Sequence, residues 1–189
     1  MKRNILFLAG MMAAALAGLL STGCDFGGEI DAHPYSDLGG EVDTNPNSDF
    51  GGESDTHPYS DFERRVFELT NVERKNNGLP PFIWDKGLAS VARAHSEDMA
   101  RNNYFAHNRP DGTTPWDRLA KAGIQYWGAA ENICAGYPTP EAAVNAWMNS
   151  PGHRANILNG SLTHLGVGVV YLESSTYRYY ATQMFITPR

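Results

Sequence analysis

The chain has 189 residues, 42% hydrophobic and 19% charged, with a formal net charge of −6. Its acidity, with no basic stripe along any segment, excludes nucleic acid as a partner. Two cysteines, Cys24 and Cys134, exclude a disulfide framework, so a packed domain here must rest on its core.

The first 23 residues read as an export signal. Lys2 and Arg3 precede an apolar run from Ile5 to Leu20, followed by Ser21, Thr22, Gly23 and Cys24. Sixteen residues fall short of the ~20 that a membrane-spanning helix needs. A cysteine directly after small residues resembles a bacterial lipobox, which makes Cys24 the lipidated N-terminus of the mature chain. Ser21 departs from that pattern, since a branched apolar residue is commoner there, and an ordinary signal peptide is the alternative. The expected location is the cell envelope, outside the cytoplasm, with the membrane as partner through lipidated Cys24.

Residues 24–61 form an acidic tether. Three twelve-residue copies follow one another: FGGEIDAHPYSD, LGGEVDTNPNSD and FGGESDTHPYSD. Ten acidic residues and no Lys or Arg lie between Asp25 and Asp61. Glycine pairs, prolines and high charge argue against a core, and a random coil of this length spans on the order of 35 Å. The spacing fits neither an EF-hand loop nor a calcium-binding nonapeptide repeat. His33 and His57 are expected to be solvated.

Residues 62–189 carry the elements of one domain. A first helix over 62–77 places Phe62, Val66, Leu69 and Val72 on a stripe and stops at Gly78. A second over 85–103 shares a face among Leu88, Val91, Ala92, His95 and Met99. A third starts at Thr114-Pro115 and ends at Gly123, and a fourth runs from Thr139-Pro140 to Asn149. A short fifth helix opens with Ser150 as N-cap and Pro151 in its first turn, and carries His153, which the field of a helix N-terminus keeps neutral. Strands over 165–172 and 177–186 close the chain. The pattern is α+β, with helices covering a small, mainly antiparallel sheet.

Six motifs then come together: LASVARAHSEDMARNNYFAH, PDGTTPWDRLAKAG, AENICAG, WMNSPGHRANIL, HLGVGVVY and YYATQMF. In this order they resemble the bacterial branch of the CAP superfamily, which includes cysteine-rich secretory proteins, antigen 5 and pathogenesis-related proteins. The resemblance implies a three-layer α-β-α sandwich. It implies a cavity lined in many members by two histidines and two glutamates. His107 matches the first histidine, Glu131 the first glutamate and His153 the second histidine. The second glutamate's place is taken by Ser150, which cannot act as a carboxylate.

Two imidazoles and a carboxylate around one cavity admit three readings. They can hold zinc or another divalent cation, polarise a water for hydrolysis with Glu131, His153 and His107, or tie loops together as a polar cluster. The resemblance also implies lipid or protein ligands in some members. Trp127 in the 123–128 loop, Gln183 and Ser150 are candidate ligand contacts, with Tyr126 beside Trp127. His95, Arg154, Asn156 and His164 are expected to play structural parts. No HExxH or GxSxG motif is present, so a non-enzymatic binding domain is the primary reading. A hydrolase and an adhesion module are the alternatives.

Overall fold

A computed structural model describes residues 57–189. The signal, Cys24 and the first two repeats lie outside the described residues. Helix α1 spans Ser60–Asn76, so it begins inside the third repeat. Strand β1 is Ile83–Trp84 and helix α2 is Lys86–Asn102. Helix α3 is Pro115–Lys121, strand β2 is Tyr126–Ala135 and helix α4 is Pro140–Asn149. Helix α5 is Pro151–Ile157, followed by strands β3, His164–Tyr171, and β4, Tyr179–Pro188.

Three helix starts are capped by side chains. Asp85 accepts from the Leu88 amide and starts α2, and Thr139 accepts from Ala142 at the head of α4. Thr114 and Asp117 form a reciprocal capping box on α3. Gly78 and Gly123 take positive φ just past their helices, a conformation glycine adopts without steric cost.

The four strands run in the order β1-β3-β4-β2. Only the short β1 pairs parallel, with β3; the other pairings are antiparallel. Alternation along β4 divides the two faces. Ala181 and Phe185 pack with Val66, Trp147 and Ile157, under α1, α4 and α5. Met184 and Ile186 pack with Leu88, Val91 and Leu119, under α2 and α3. Helices therefore cover both faces of one sheet, in three layers.

Two glycines set the spacing of one layer. A Cβ at Gly166 would lie 2.1 Å from the Ala89 amide nitrogen, and one at Gly168 would lie 1.9 Å from that of Arg93. Only glycine lets α2 approach β3 this closely. Helix α2 in turn carries His95 and leads into the segment that holds His107.

Several local expectations change. The buried stripe of α1 is Glu63, Val66, Phe67, Thr70 and Arg74, while Val72 is exposed. The stripe is rotated because two charged residues are paired inside the fold. Glu63 receives Arg93 Nε and Nη2 and the Val169 amide, and Arg74 donates to the carbonyls of Pro80, Ile157, Asn159 and Leu162. His57 is not solvated: its Nε2 donates to Glu63 at 2.9 Å, and its Nδ1 accepts from the Tyr59 amide. The end of the third repeat is thus folded onto the domain.

Candidate functional site

Glu131 is the centre of the site. It sits in the middle of β2, opposite Met184 of β4, and its side chain is buried. Oε1 accepts from His107 Nδ1 at 2.9 Å, and Oε2 accepts from Arg118 Nη2 at 2.5 Å. A carboxylate only accepts here, so His107 Nδ1 is the donor of this bond; in the neutral tautomer that bears this proton, Nε2 is an acceptor. That ring is half exposed, whereas the Arg118 side chain is buried. The cluster is a buried ion pair with an imidazole at its mouth.

Each partner comes from a different element. Arg118 lies on the buried face of α3 with Pro115 and Leu119, at helical spacing. Its Nη1 donates to the His107 carbonyl at 2.9 Å, so one guanidinium holds both the carboxylate and the backbone beside it. His107 stands in the 103–114 connection between α2 and α3. His95 is fully buried on α2, with Nε2 3.1 Å from the Ala106 carbonyl. Burial pushes its imidazole down to about 4, against the pull of the Glu131 charge; Arg118 and Arg109 add to the lowering.

His153 comes from another element again. It lies in the first turn of α5, and its carbonyl accepts from Asn132 Nδ2 at 3.1 Å. Its buried Nδ1 has no hydrogen-bond partner among the described residues. Asn132 precedes a face change on β2: Glu131 turns to α3, whereas Asn132 turns to α5. Among the described residues, no three or more His, Cys, Asp and Glu side chains stand where they could hold a metal ion. Of the residues expected to hold zinc, His107 and Glu131 are bonded to each other, and Arg118 donates to the other Glu131 oxygen.

Gln183 does not reach the site. It is fully buried between Thr70 Oγ1, to which it donates at 2.9 Å, and Asn132 Nδ2, from which it accepts at 3.1 Å. Asn156 completes the chain of amides by donating to Asn132 Oδ1 at 2.8 Å. This buried relay joins α1, β4, β2 and α5, and it fixes the helix that bears His153. Ser150 occupies the N-cap position of α5, but its side chain makes no capping bond. Arg154 is exposed and takes no part in the relay. His164 opens β3 against Thr163 Oγ1 at 2.9 Å, and Cys134 is buried in the core.

The head of β2 is strand, where the sequence suggested a loop. A register shift between Tyr126 and Gly128 marks a bulge there. Trp127 is 71% exposed, with the Arg189 guanidinium 4.7 Å above its ring. Trp116 of α3 is also exposed and lies 6.4 Å from the Tyr126 ring. These aromatics border the strand and helix that hold Glu131 and Arg118. Trp147 and Trp84, by contrast, pack in and against the core.

Comparison with known proteins decides the family. Residues 67–185 match the sequence model described as "CAP: Cysteine-rich secretory protein family". The chain belongs to the CAP family. Its CAP domain is 50% identical over 124 residues to YkwD of Bacillus subtilis and 44% identical over 124 residues to the membrane protein YlbC of the same organism. Each match covers 66% of this chain but 46% and 34% of those relatives, less than half of either. An extracellular SCP-domain protein of Bacillus anthracis superposes with a TM-score of 0.60 at 41% identity, over 67% of this chain and 40% of that one. An outer surface protein of Borrelia burgdorferi shares the fold, with a TM-score of 0.63 at 22% identity, over 70% and 97% of the two chains. The three-layer α-β-α sandwich of the CAP fold is the architecture described above.

Arg118 is the part of the site that motif matching passes over. The signal for Arg118 is its spacing. Pro115, Arg118 and Leu119 fall at i, i+3 and i+4, so the arginine occupies an apolar-face position of a short helix.

Proposed function

We propose that this chain is an exported CAP domain, held to a membrane by lipid on Cys24, that binds a small or lipid ligand and does not turn it over. The observation that carries the non-enzymatic reading is the commitment of Glu131. Both its oxygens are hydrogen-bonded, and its charge is matched by a buried guanidinium. Held this way, Glu131 anchors the cluster and orients the His107 ring rather than facing a substrate itself. Ser150 in place of a second carboxylate leaves one acid where many members of the family have two.

The binding edge is the exposed aromatic border at the head of β2. Trp127 and Trp116 offer apolar area there, and the half-exposed His107 ring, bonded to Glu131 of the same strand, supplies a polar group. An apolar rim with one or two fixed polar groups suits an amphipathic ligand. Export is supported by the signal-like start of the chain and by the extracellular protein of Bacillus anthracis that it resembles.

Titration of the full chain with a fluorescent fatty acid, beside ester and peptide substrates, tests the reading. Saturable binding weakened at least tenfold by Trp127→Ala, with no turnover of either substrate, is expected. Turnover of either substrate by the wild type, lost in His107→Ala, would establish the hydrolase instead. Fractionation of cells that express Cys24→Ala tests the tether, and release of the protein from the membrane is expected.

A further inference from the structure

We infer that His95 is a positioning residue for the half-exposed imidazole of His107, acting through the backbone carbonyl of Ala106. The inference rests on the reading of His107 as part of the ligand rim.

Tyr104 and Phe105 are anchored against the core and Arg109 is paired with Asp98, so what needs holding is the short stretch 106–108 between them. Residues 103–114 form no helix or strand, and Ala106, His107 and Asn108 are all exposed. Burial of apolar surface therefore cannot fix these three residues. Two buried donors do so instead. His95 Nε2 from α2 lies 3.1 Å from the Ala106 carbonyl, and Arg118 Nη1 from α3 lies 2.9 Å from the His107 carbonyl. Successive carbonyls are thereby tied to two different helices. The His107 ring then meets Glu131 with Nδ1 at 2.9 Å.

The residue type at position 95 fits this role. The position lies on the buried stripe of α2 with Leu88, Ala92 and Met99, where an aliphatic side chain would fill the space. An imidazole there carries a cost. A carbonyl accepts only, so Nε2 is protonated and Nδ1 is a bare acceptor, and Nδ1 has no partner among the described residues. A buried acceptor left unpaired costs about 1–3 kcal/mol. What the imidazole supplies in return is one buried donor, and that donor meets Ala106.

The test is nuclear magnetic resonance on the full chain without ligand. In the wild type, the ring-nitrogen shifts of His95 should show the Nε2–H tautomer alone; an Nδ1–H ring would overturn the inference whatever the variants do. Amide exchange is then followed at Tyr104 and Arg109, which bracket the segment and are bonded to the Met99 and Thr113 carbonyls. His95→Phe should speed exchange at both at least about tenfold, leave β3 and β4 unchanged, and mix the tautomers of the His107 ring. His95→Gln, which keeps an N–H donor, should stay within about threefold of the wild type. Unchanged exchange in His95→Phe, acceleration spread evenly over the sheet, or a glutamine variant no better than phenylalanine would each overturn it. These readings use no ligand. If exchange behaves as expected but fatty-acid binding ignores His107→Ala, the rim reading fails and the positioning role stands.

Discussion

The Arg118 guanidinium and the Glu131 carboxylate form a buried ion pair, 2.5 Å apart, at the point where sequence motifs suggest a metal ligand. The pair joins α3 to β2 and leaves His107 as the group in contact with solvent. Removing one partner strands the other as an uncompensated buried charge, which costs about 3–5 kcal/mol. Urea unfolding of Arg118→Met and Glu131→Gln should show losses of that order. The double variant should recover part of the loss. His107→Ala, at the exposed end, should cost about 1 kcal/mol or less.

Close packing of α2 on β3 predicts a sharp steric effect. A methyl group at Gly166 or Gly168 would meet α2 backbone at 2.1 or 1.9 Å. Neither helix nor strand can yield by a side-chain rotation. Gly168→Ala should destabilise by about 3 kcal/mol, the upper end for overpacking. Gly152→Ala is the control, because a Cβ at Gly152 meets nothing within 4 Å. Thermal melts of the two variants check the difference.

Arg74 presents a second buried cation, with a different solution. It is 1% exposed and sits 3.7 Å from the Phe82 ring centroid, donating to four carbonyls from two connections and the end of α5. Burial lowers its affinity for the proton. A lysine has three donors on one nitrogen and cannot span these acceptors as a planar fork does. Arg74→Lys should therefore lose about 2 kcal/mol, and Arg74→Met more, because several carbonyls are left without a donor. Chemical unfolding measures both.

Acid sensitivity should report His95. Its folded imidazole is held down to about 4 by burial, below the ~6.5 of an unfolded histidine. Between those values the unfolded chain binds more protons, so stability rises with pH there and is lost on acidification. The loss from this group is complete near pH 4 and amounts to at most about 3 kcal/mol. The slope of unfolding free energy against pH should flatten in His95→Gln across that window. An unchanged slope would place the titrating group elsewhere.

Much of the helical frame was legible because its signals are local. Asp85, Thr114-Pro115 and Thr139-Pro140 each mark a helix start by their own chemistry. The failures have a common physical cause, which is partnership across long sequence separation. Ile83 and Trp84 form a strand only because β3 pairs with them some eighty residues later. Tyr126 and Trp127 read as loop because the bulge breaks the alternation that marks a strand. The parity of β4 turns Gln183 inward toward Thr70, a contact 113 residues apart in the chain. Glu63 and Arg74 fall at helical spacing with Val66 and Phe67, yet a charged residue on a stripe is discounted until its partner is seen. In the site, the motifs located Glu131 and His107. They did not reveal that an arginine completes the pair.

The central claim is that Arg118, and not a metal ion, satisfies the second oxygen of Glu131. Calorimetric titration of the full chain with zinc at neutral pH tests this most directly. The account predicts no saturable one-to-one binding in the micromolar range or tighter. Tight one-to-one binding that disappears in both His107→Ala and His153→Ala would contradict it.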